Sequence, residues 1–449
     1  MAKRWPTLLA AALLSAGRCG AQVLPSELDK VLAASDQSPA EPAEAAGARS
    51  TPAGLELQLW LQHYTAPDHG PSSSVARTVF SYARSWDLAP GWRAGFSDRL
   101  DVTQSTGAPM ASDTGDAVNS LREAWLSWRH DSADGMSYLD GGRINLRSGV
   151  ASGYNPTDFF KRNAVRVATS LDPSALRNNR LGVVMLRAQR ITESGALTLA
   201  LAPRLSSGDG DMPDTRGAAL ALERTNDAAQ ALLKWSPRLT QSTSLDVLAY
   251  AREGDKPQAG LGYSTVLGNA WVLNAEWAGG QRLPLPQAGA AVTADAGQAA
   301  THWRSRAALN VVWTLPFGLD LTIERQYVGD AFDAASWRGW RAANSVAEQR
   351  ALVRLAVRRA GEQEGLVRNA WFVRADWRDA FGMRGLNVSG FTQRDAYDHS
   401  ALTQLAGSLP LRQAWSVQGQ WVHYSGAQDS EFGSTGVRNY VAIHVDYRF

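Results

Sequence analysis

Between Ser148 and Arg180 the chain gathers Lys161, Arg162, Arg166, Arg177 and Arg180 against only two acids, Asp158 and Asp172. Guanidinium groups present a rigid planar fork that matches a carboxylate or a phosphate. The chemistry available to such a segment is reversible anion recognition. The same bias runs through the whole chain, which has 40 Arg against 5 Lys. Arg93, Arg99, Arg129, Arg143, Arg147, Arg354, Arg358, Arg374 and Arg378 fall on polar positions of alternating stretches, and Asp101, Glu123, Asp320, Glu324 and Asp376 hold comparable positions. Two uses fit these residues. They could pair with wall acids, as ionised groups in low dielectric generally do, or they could form a ladder that guides anions. Arg354, Arg358, Arg374 and Arg378 have few acids near them in sequence and are the candidates for a ladder.

Covalent chemistry finds little support. Seven histidines are scattered, and neither a His-Glu-x-x-His nor a Gly-x-Ser-x-Gly motif occurs. His423-Tyr424-Ser425-Gly426, Asp68-His69 and Asp398-His399 each stand alone. A catalytic site needs a nucleophile, a base and an orienting group together. The expectation is therefore a protein that is not an enzyme, with no cofactor and no metal site.

The N-terminus reads as a secretory signal over residues 1–21. Lys3 and Arg4 precede the apolar run Leu8 to Leu14, and Cys19-Gly20-Ala21 offers small residues for cleavage after Ala21. Cleavage would remove the one cysteine together with Lys3, Arg4 and Arg18, taking the formal net charge from +2 to −1. That balance argues against a nucleic-acid partner. Residues 22–54 contain a short helical pattern from Ser26 and then an Ala/Pro/Glu-rich linker, so a flexible segment is expected. Beyond the signal no apolar run approaches the ~20 residues of a membrane helix.

From Leu55 onward the pattern has a period of two. Leu55, Leu57, Leu59 and Leu61 alternate with Glu56, Gln58, Trp60 and Gln62; Leu319, Leu321 and Ile323 alternate with Asp320, Thr322 and Glu324. The last strand places Val441, Ile443, Val445, Tyr447 and Phe449 on one face and Ala442, His444, Asp446 and Arg448 on the other. Many strands with one apolar and one polar face are what a lipid-facing barrel wall requires. Trp271/Trp277, Trp303/Trp313, Trp371/Trp377 and Trp415/Trp421 are each separated by an even offset, so each pair shares a strand face, as an interfacial aromatic girdle would. Tight turns alternate with long polar loops until Gly329, where the phase is lost. The expected fold is all-β: a transmembrane antiparallel barrel of residues 55–449 with about 18 strands, or about 16, since bacterial single-chain barrels have even numbers.

The long segment carries a further signal. Gly142-Arg143 is followed by Gly153-Tyr154-Asn155-Pro156-Thr157-Asp158-Phe159-Phe160 and then by the basic run. This arrangement, from Gly142 to Arg190, resembles large porin-like proteobacterial outer-membrane barrels, including relatives of alginate-export-type and uncharacterised porin-like proteins. The resemblance implies a segment that folds inward and narrows a pore. Arg143, Arg147, Asn155, Asp158, Lys161, Arg162, Arg166, Arg177 and Arg180 are the candidate constriction residues. The alternative is an external loop whose arginines meet lipopolysaccharide phosphates or water. The aromatic C-terminus, Tyr447 and Phe449, resembles the signal read by barrel-assembly machinery. The expected role is an outer-membrane channel passing a hydrophilic, anionic solute or export product by diffusion. A non-conducting barrel that partners an export or assembly machine is the alternative.

Overall fold

The computed structural model describes residues 54–67, 70, 72–106, 117–168, 170–205, 220–288, 301–343 and 345–449. The expected signal peptide, and the flexible segment up to residue 53, lie outside the described residues. The first nine strands are β1 (Gly54–Thr65), β2 (Ser72–Ala89), β3 (Trp92–Thr106), β4 (Ala117–Ser132), β5 (Gly135–Ile144), β6 (Val183–Thr192), β7 (Gly195–Ala202), β8 (Gln230–Pro237) and β9 (Thr243–Arg252). The second nine are β10 (Gln258–Leu267), β11 (Trp271–Arg282), β12 (His302–Thr314), β13 (Leu319–Val328), β14 (Asn369–Trp377), β15 (Asn387–Asp395), β16 (Ala401–Pro410), β17 (Trp415–Ser425) and β18 (Asn439–Arg448).

Each strand pairs antiparallel with its neighbours in sequence, and β1 pairs with β18, from Glu56 opposite Arg448 to Thr65 opposite Asn439. The Phe449 amide extends this seam by donating to the Leu55 carbonyl at 3.0 Å. The sheet is therefore a closed ring of eighteen strands, the arrangement that leaves no strand edge unpaired. No helix among the described residues is long and apolar enough to cross a membrane.

Alternation decides which side chains face out. On β1 the outward Leu59 and Leu61 are 52% and 70% exposed, whereas the inward Gln58, Trp60 and Gln62 are buried. On β18 Val441 and Ile443 point out while Tyr440, Ala442, His444 and Asp446 point in. Trp271 stacks on Trp313 at the turn end of the β11–β12 pair, and Trp277 on Trp303 farther along β11 toward the loop end. Six residues of strand separate the two stacks by about 20 Å, close to the ~25 Å apolar band of a membrane barrel.

One end carries the tight turns and both termini of the barrel; the other carries the long connections. At the loop end, residues 145–182 contain helix α1 (Pro173–Asn178) and residues 203–229 contain α2 (Leu222–Thr225). Residues 329–368 contain α3 (Ala334–Ala342) and α4 (Val346–Glu362). This last connection explains the lost phase. Arg354 and Arg358 were expected on a strand face, but they lie on α4. A helix is favoured there because Ser345 and Glu348 cap each other's backbone reciprocally and Leu352, Leu355 and Ala356 bury one side. The connections at 253–257 and 396–400, by contrast, are short although they lie at the loop end.

A strap across the lumen

The segment 145–182 leaves β5, runs inside the ring and returns to β6. Its contacts reach far around the barrel. On β13 the Glu324 carboxylate accepts from the amides of Ser152 (2.9 Å), Gly153 (3.0 Å) and Tyr154 (2.8 Å), and also from Asn310 and Gln326. On β11 Glu276 accepts from the amides of Val150 and Ala151 (both 2.5 Å), from Asn155 Nδ2 (2.9 Å) and from Thr157 Oγ1 (2.8 Å). Successive backbone N–H groups wrapped on a carboxylate form a nest of the kind that holds anions. Here the anion belongs to the wall and the nest to the loop. Gly149 sits at φ +96°, and a Cβ there would lie 2.6 Å from the Glu276 carboxylate; a Cβ on Gly153 would meet the Phe372 ring at 2.6 Å. Both glycines are required by close approach.

Beyond the nests the strap continues to the far wall. The Leu171 amide donates to Gln404 Oε1 on β16 at 2.9 Å. Asp172, which caps α1, accepts from Arg374 on β14 at 2.7 Å. In a ring of eighteen, β14 is nine strands from β5, where the segment starts, so it crosses the lumen completely.

The expected constriction residues all lie in or against this strap, but most of their charge is engaged. Arg180 makes a bidentate pair with Asp158 at 2.8 and 3.0 Å and also reaches Asn145 Oδ1 and the Leu146 carbonyl. Arg177 donates to the carbonyls of Ser148 and Gly149 and lies 3.6 Å from Asp158. Asn155, besides its bond to Glu276, donates to the Ala151 carbonyl. Arg143, on β5, is bonded to the carbonyls of Gly182, Leu220 and Ala221, and Arg166 to that of Asn119. Arg147 lies just past the end of β5 rather than on it, and donates to Asn178 Oδ1. Burial, with Arg177 beside it, lowers the Arg147 guanidinium to about 10. Arg162 keeps the most exposure, 39% of its side chain, with Glu362 at 3.6 Å and Asp227 at 3.8 Å.

Lys161 belongs to a buried ion cluster that joins the strap to the 329–368 connection. Glu364 accepts from Arg306 at 2.6 Å and from the Tyr154 hydroxyl, with Lys161 Nζ at 3.2 Å. Beside it, Arg359 and Arg282 both reach Asp330, at 3.0 and 3.1 Å. Burial would raise the Glu364 carboxyl, but Lys161, Arg306 and Arg359 outweigh it and hold it well below the usual carboxylate range. Burial and Glu364 push the Tyr154 phenol well above its ordinary value, and burial lowers the Lys161 ammonium. Backbone bonds tie the same two connections: the Asn163 amide donates to the Gly361 carbonyl at 2.7 Å, and Gln363 Nε2 to the Lys161 carbonyl at 2.9 Å.

The expected ladder of Arg354, Arg358, Arg374 and Arg378 is not one continuous feature. Arg354 and Arg358 are exposed on α4. Arg374 is not short of acids, because Asp172 and Asp376 flank it. Arg378 lies past the end of β14 at the turn end, 3.8 Å from Asp320. Glu276, Glu364 and Gln404 did not stand out in the sequence. For Glu276 and Gln404 the signal was parity, Glu276 being the charged residue in the inward series Val272, Asn274, Glu276, Ala278; Glu364 lies in a loop and had no such signal.

Inward residues on β6 to β8 and β11 to β14 are largely buried beneath the inserted connections, whereas others stay partly exposed. The latter include Ser389, Ser408, Gln418 and Gln420 on β15 to β17, and Arg77, Ser81, Arg122 and Glu123 on β2 to β4. These two groups flank β18 and β1, whose inward residues, Trp60 and His444 among them, are themselves buried. The strap therefore crosses the ring, and partly exposed polar residues remain on the flanking strands.

No protein-family model matches the sequence, and no curated protein matches it. Among solved structures the chain is similar to Pseudomonas aeruginosa OpdQ, with 10% identity over 88% of this chain and 98% of that one and a TM-score of 0.48. It is similar to Pseudomonas aeruginosa OccK5 (OpdH), with 8% identity over 88% and 97% of the chains and a TM-score of 0.49. Acinetobacter baumannii OccAB4 gives 8% identity, the same coverage and a TM-score of 0.48. The barrel assignment rests on the strand pairing of this chain itself.

Proposed function

We propose that the chain is an outer-membrane channel of porin type, through which hydrophilic, preferentially anionic solutes diffuse past a strapped constriction. The observation that carries this reading is the strap that leaves β5 and is pinned to β13 and β14 across the ring, with partly exposed polar residues remaining on β15 to β17 and β2 to β4. A loop held this firmly sets a fixed aperture. The apolar outward face with its stacked tryptophans supports insertion in lipid. Kinship with the wider porin-like group, alginate-export relatives included, rests on the Gly142 to Arg190 pattern. In this reading Tyr447 and Phe449 address the assembly machinery, and lipopolysaccharide surrounds the loop end.

Selectivity would come from a few arginines rather than from the whole basic run. Arg162 is the strap cation with weak, long pairings, and Arg147 and Arg122 are partly exposed. Recording in planar bilayers tests the proposal. Discrete conductance steps with a reversal potential favouring anions are expected, and Arg162→Ala should reduce that preference. A folded barrel with no conductance would favour the non-conducting partner instead.

A further inference from the structure

Arg350, Arg354 and Arg358 stand at i, i+4 and i+8 on α4, and all three are exposed. Among the described residues none of the three has a hydrogen-bond or ion-pair partner. Like charges four residues apart destabilise a helix, and an exposed face ordinarily intersperses acids. Here the positions three or four residues from Arg350 and Arg354 hold Val346, Ala347, Ala351, Val353 and Val357, and the one acid at such a position along the row is Glu362, four residues past Arg358. Two repulsive contacts are thus built into the face.

The row has a direction. One turn beyond Arg358 comes Glu362, which pairs with Arg162 of the strap at 3.6 Å and with Arg359 at 3.5 Å. The adjoining Gly361 and Gln363 are hydrogen-bonded to the strap backbone. The opposite side of α4 is spent on packing with Phe332, Trp337 and Trp340. The arginine face therefore runs from the loop end down to Arg162 in the lumen. Its cations are spaced about 6 Å apart along the helix, inside the ~8 Å screening length of physiological salt. An anion with several charges meets more than one of them at once, which a singly charged anion cannot do.

We propose that Arg350, Arg354 and Arg358 form a capture site for multiply charged anionic solutes, those with two or more phosphate or carboxylate groups about one helical turn apart. The site delivers them toward Arg162. The proposal rests on the channel reading for its direction, but binding itself does not need conduction. The occupant is a free solute rather than a lipid headgroup, because the foot of the row is fixed to the strap inside the ring.

The test uses the purified full chain in lipopolysaccharide-free detergent, with tripolyphosphate and orthophosphate as probes in calorimetry. Wild type should bind tripolyphosphate roughly tenfold or more tighter than the variant Arg350→Gln/Arg354→Gln/Arg358→Gln, with a much smaller difference for orthophosphate. The matching triple lysine variant should retain binding. The glutamine variant removes repulsion within α4, so folding is not at risk, and heat-modifiable gel mobility checks it. In phosphatidylcholine bilayers, tripolyphosphate on the loop side should block current through wild type and not through the glutamine variant. Equal affinities for tripolyphosphate would overturn the proposal. So would a variant altered only in its retention on lipopolysaccharide vesicles, which would assign the row to headgroups. Tight, arginine-dependent binding without any current would uphold the capture site and sink the channel.

Discussion

Arg374 and Asp172 meet guanidinium to carboxylate at 2.7 Å, although one belongs to β14 and the other to a segment that starts nine strands away on β5. The pair is the far anchor of the strap. Arg374 is only 3% exposed, and Asp376 holds its other edge at 2.5 and 2.9 Å. Removing one member of a buried pair costs about 3–5 kcal/mol because the other charge is stranded. Arg374→Ala should therefore loosen residues 170–178, raising single-channel conductance and making it noisier. Asp172→Ala should act in the same direction, and the double variant should cost less than the sum of the two. Unchanged conductance in both single variants would mean that the strap is held without this pair.

Glu324 should matter more to the aperture than any single arginine. Its carboxylate collects three consecutive strap amides, and hydrogen bonds to a charged group are worth about 1.5–3 kcal/mol each. Glu324→Ala is expected to leave the barrel closed but free the 149–157 stretch. Limited proteolysis should then cut within that stretch, which wild type resists. Glu276→Ala should open the same region from its other end. Glu253→Ala, a change at an exposed loop-end residue outside the strap, should do neither.

Acid should unfasten the strap from the 329–368 connection. The folded-state carboxyl of Glu364 lies below its ordinary value because Lys161, Arg306 and Arg359 overcome its burial. The stability it contributes is complete above the unfolded value near 4.5 and is lost as pH falls through the lower folded value. Hydrogen exchange at the Asn163 amide, which bonds to Gly361, should accelerate as pH drops below that range, after correction for intrinsic rates. In Glu364→Gln it should be fast at neutral pH and show no acid step. A wild-type amide protected equally at pH 3 and pH 7 would rule out the ion cluster as the fastener.

The C-terminal aromatic should affect assembly more than stability. Phe449 is 68% exposed, and its amide closes the seam at Leu55. Phe449→Ala keeps that backbone bond, so its thermal midpoint after refolding in detergent should be nearly that of wild type. In cells, the same variant should accumulate less in the outer-membrane fraction. Equal accumulation would show that Phe449 is not needed for an assembly signal.

The wall was legible in the sequence because the pleat enforces a period of two at every strand, as Leu319 to Glu324 illustrate. The helical insert was less so. Val353, Leu355 and Val357 alternate with Arg354 and Arg358 and satisfy a strand reading locally, while the decisive signal was the Ser345-x-x-Glu348 capping box ahead of them. The strap's basic run was conspicuous, but its partners were not. Glu276 is 119 to 126 residues from the groups it holds, and no local pattern announces such a contact. Parity did place Trp60 on the polar face with Gln58 and Gln62, but nothing local announced that it would stack on His444 at 3.5 Å inside the ring.

The nests on Glu276 and Glu324 grip main-chain amides, mostly not side chains. Position and composition are thereby decoupled at Val150 and Ser152, whose half-buried side chains can change without moving the backbone that carries them. Evolution, or an engineer, could rewrite the lining of this aperture one residue at a time while Gly149, Gly153 and two acids keep its outline constant.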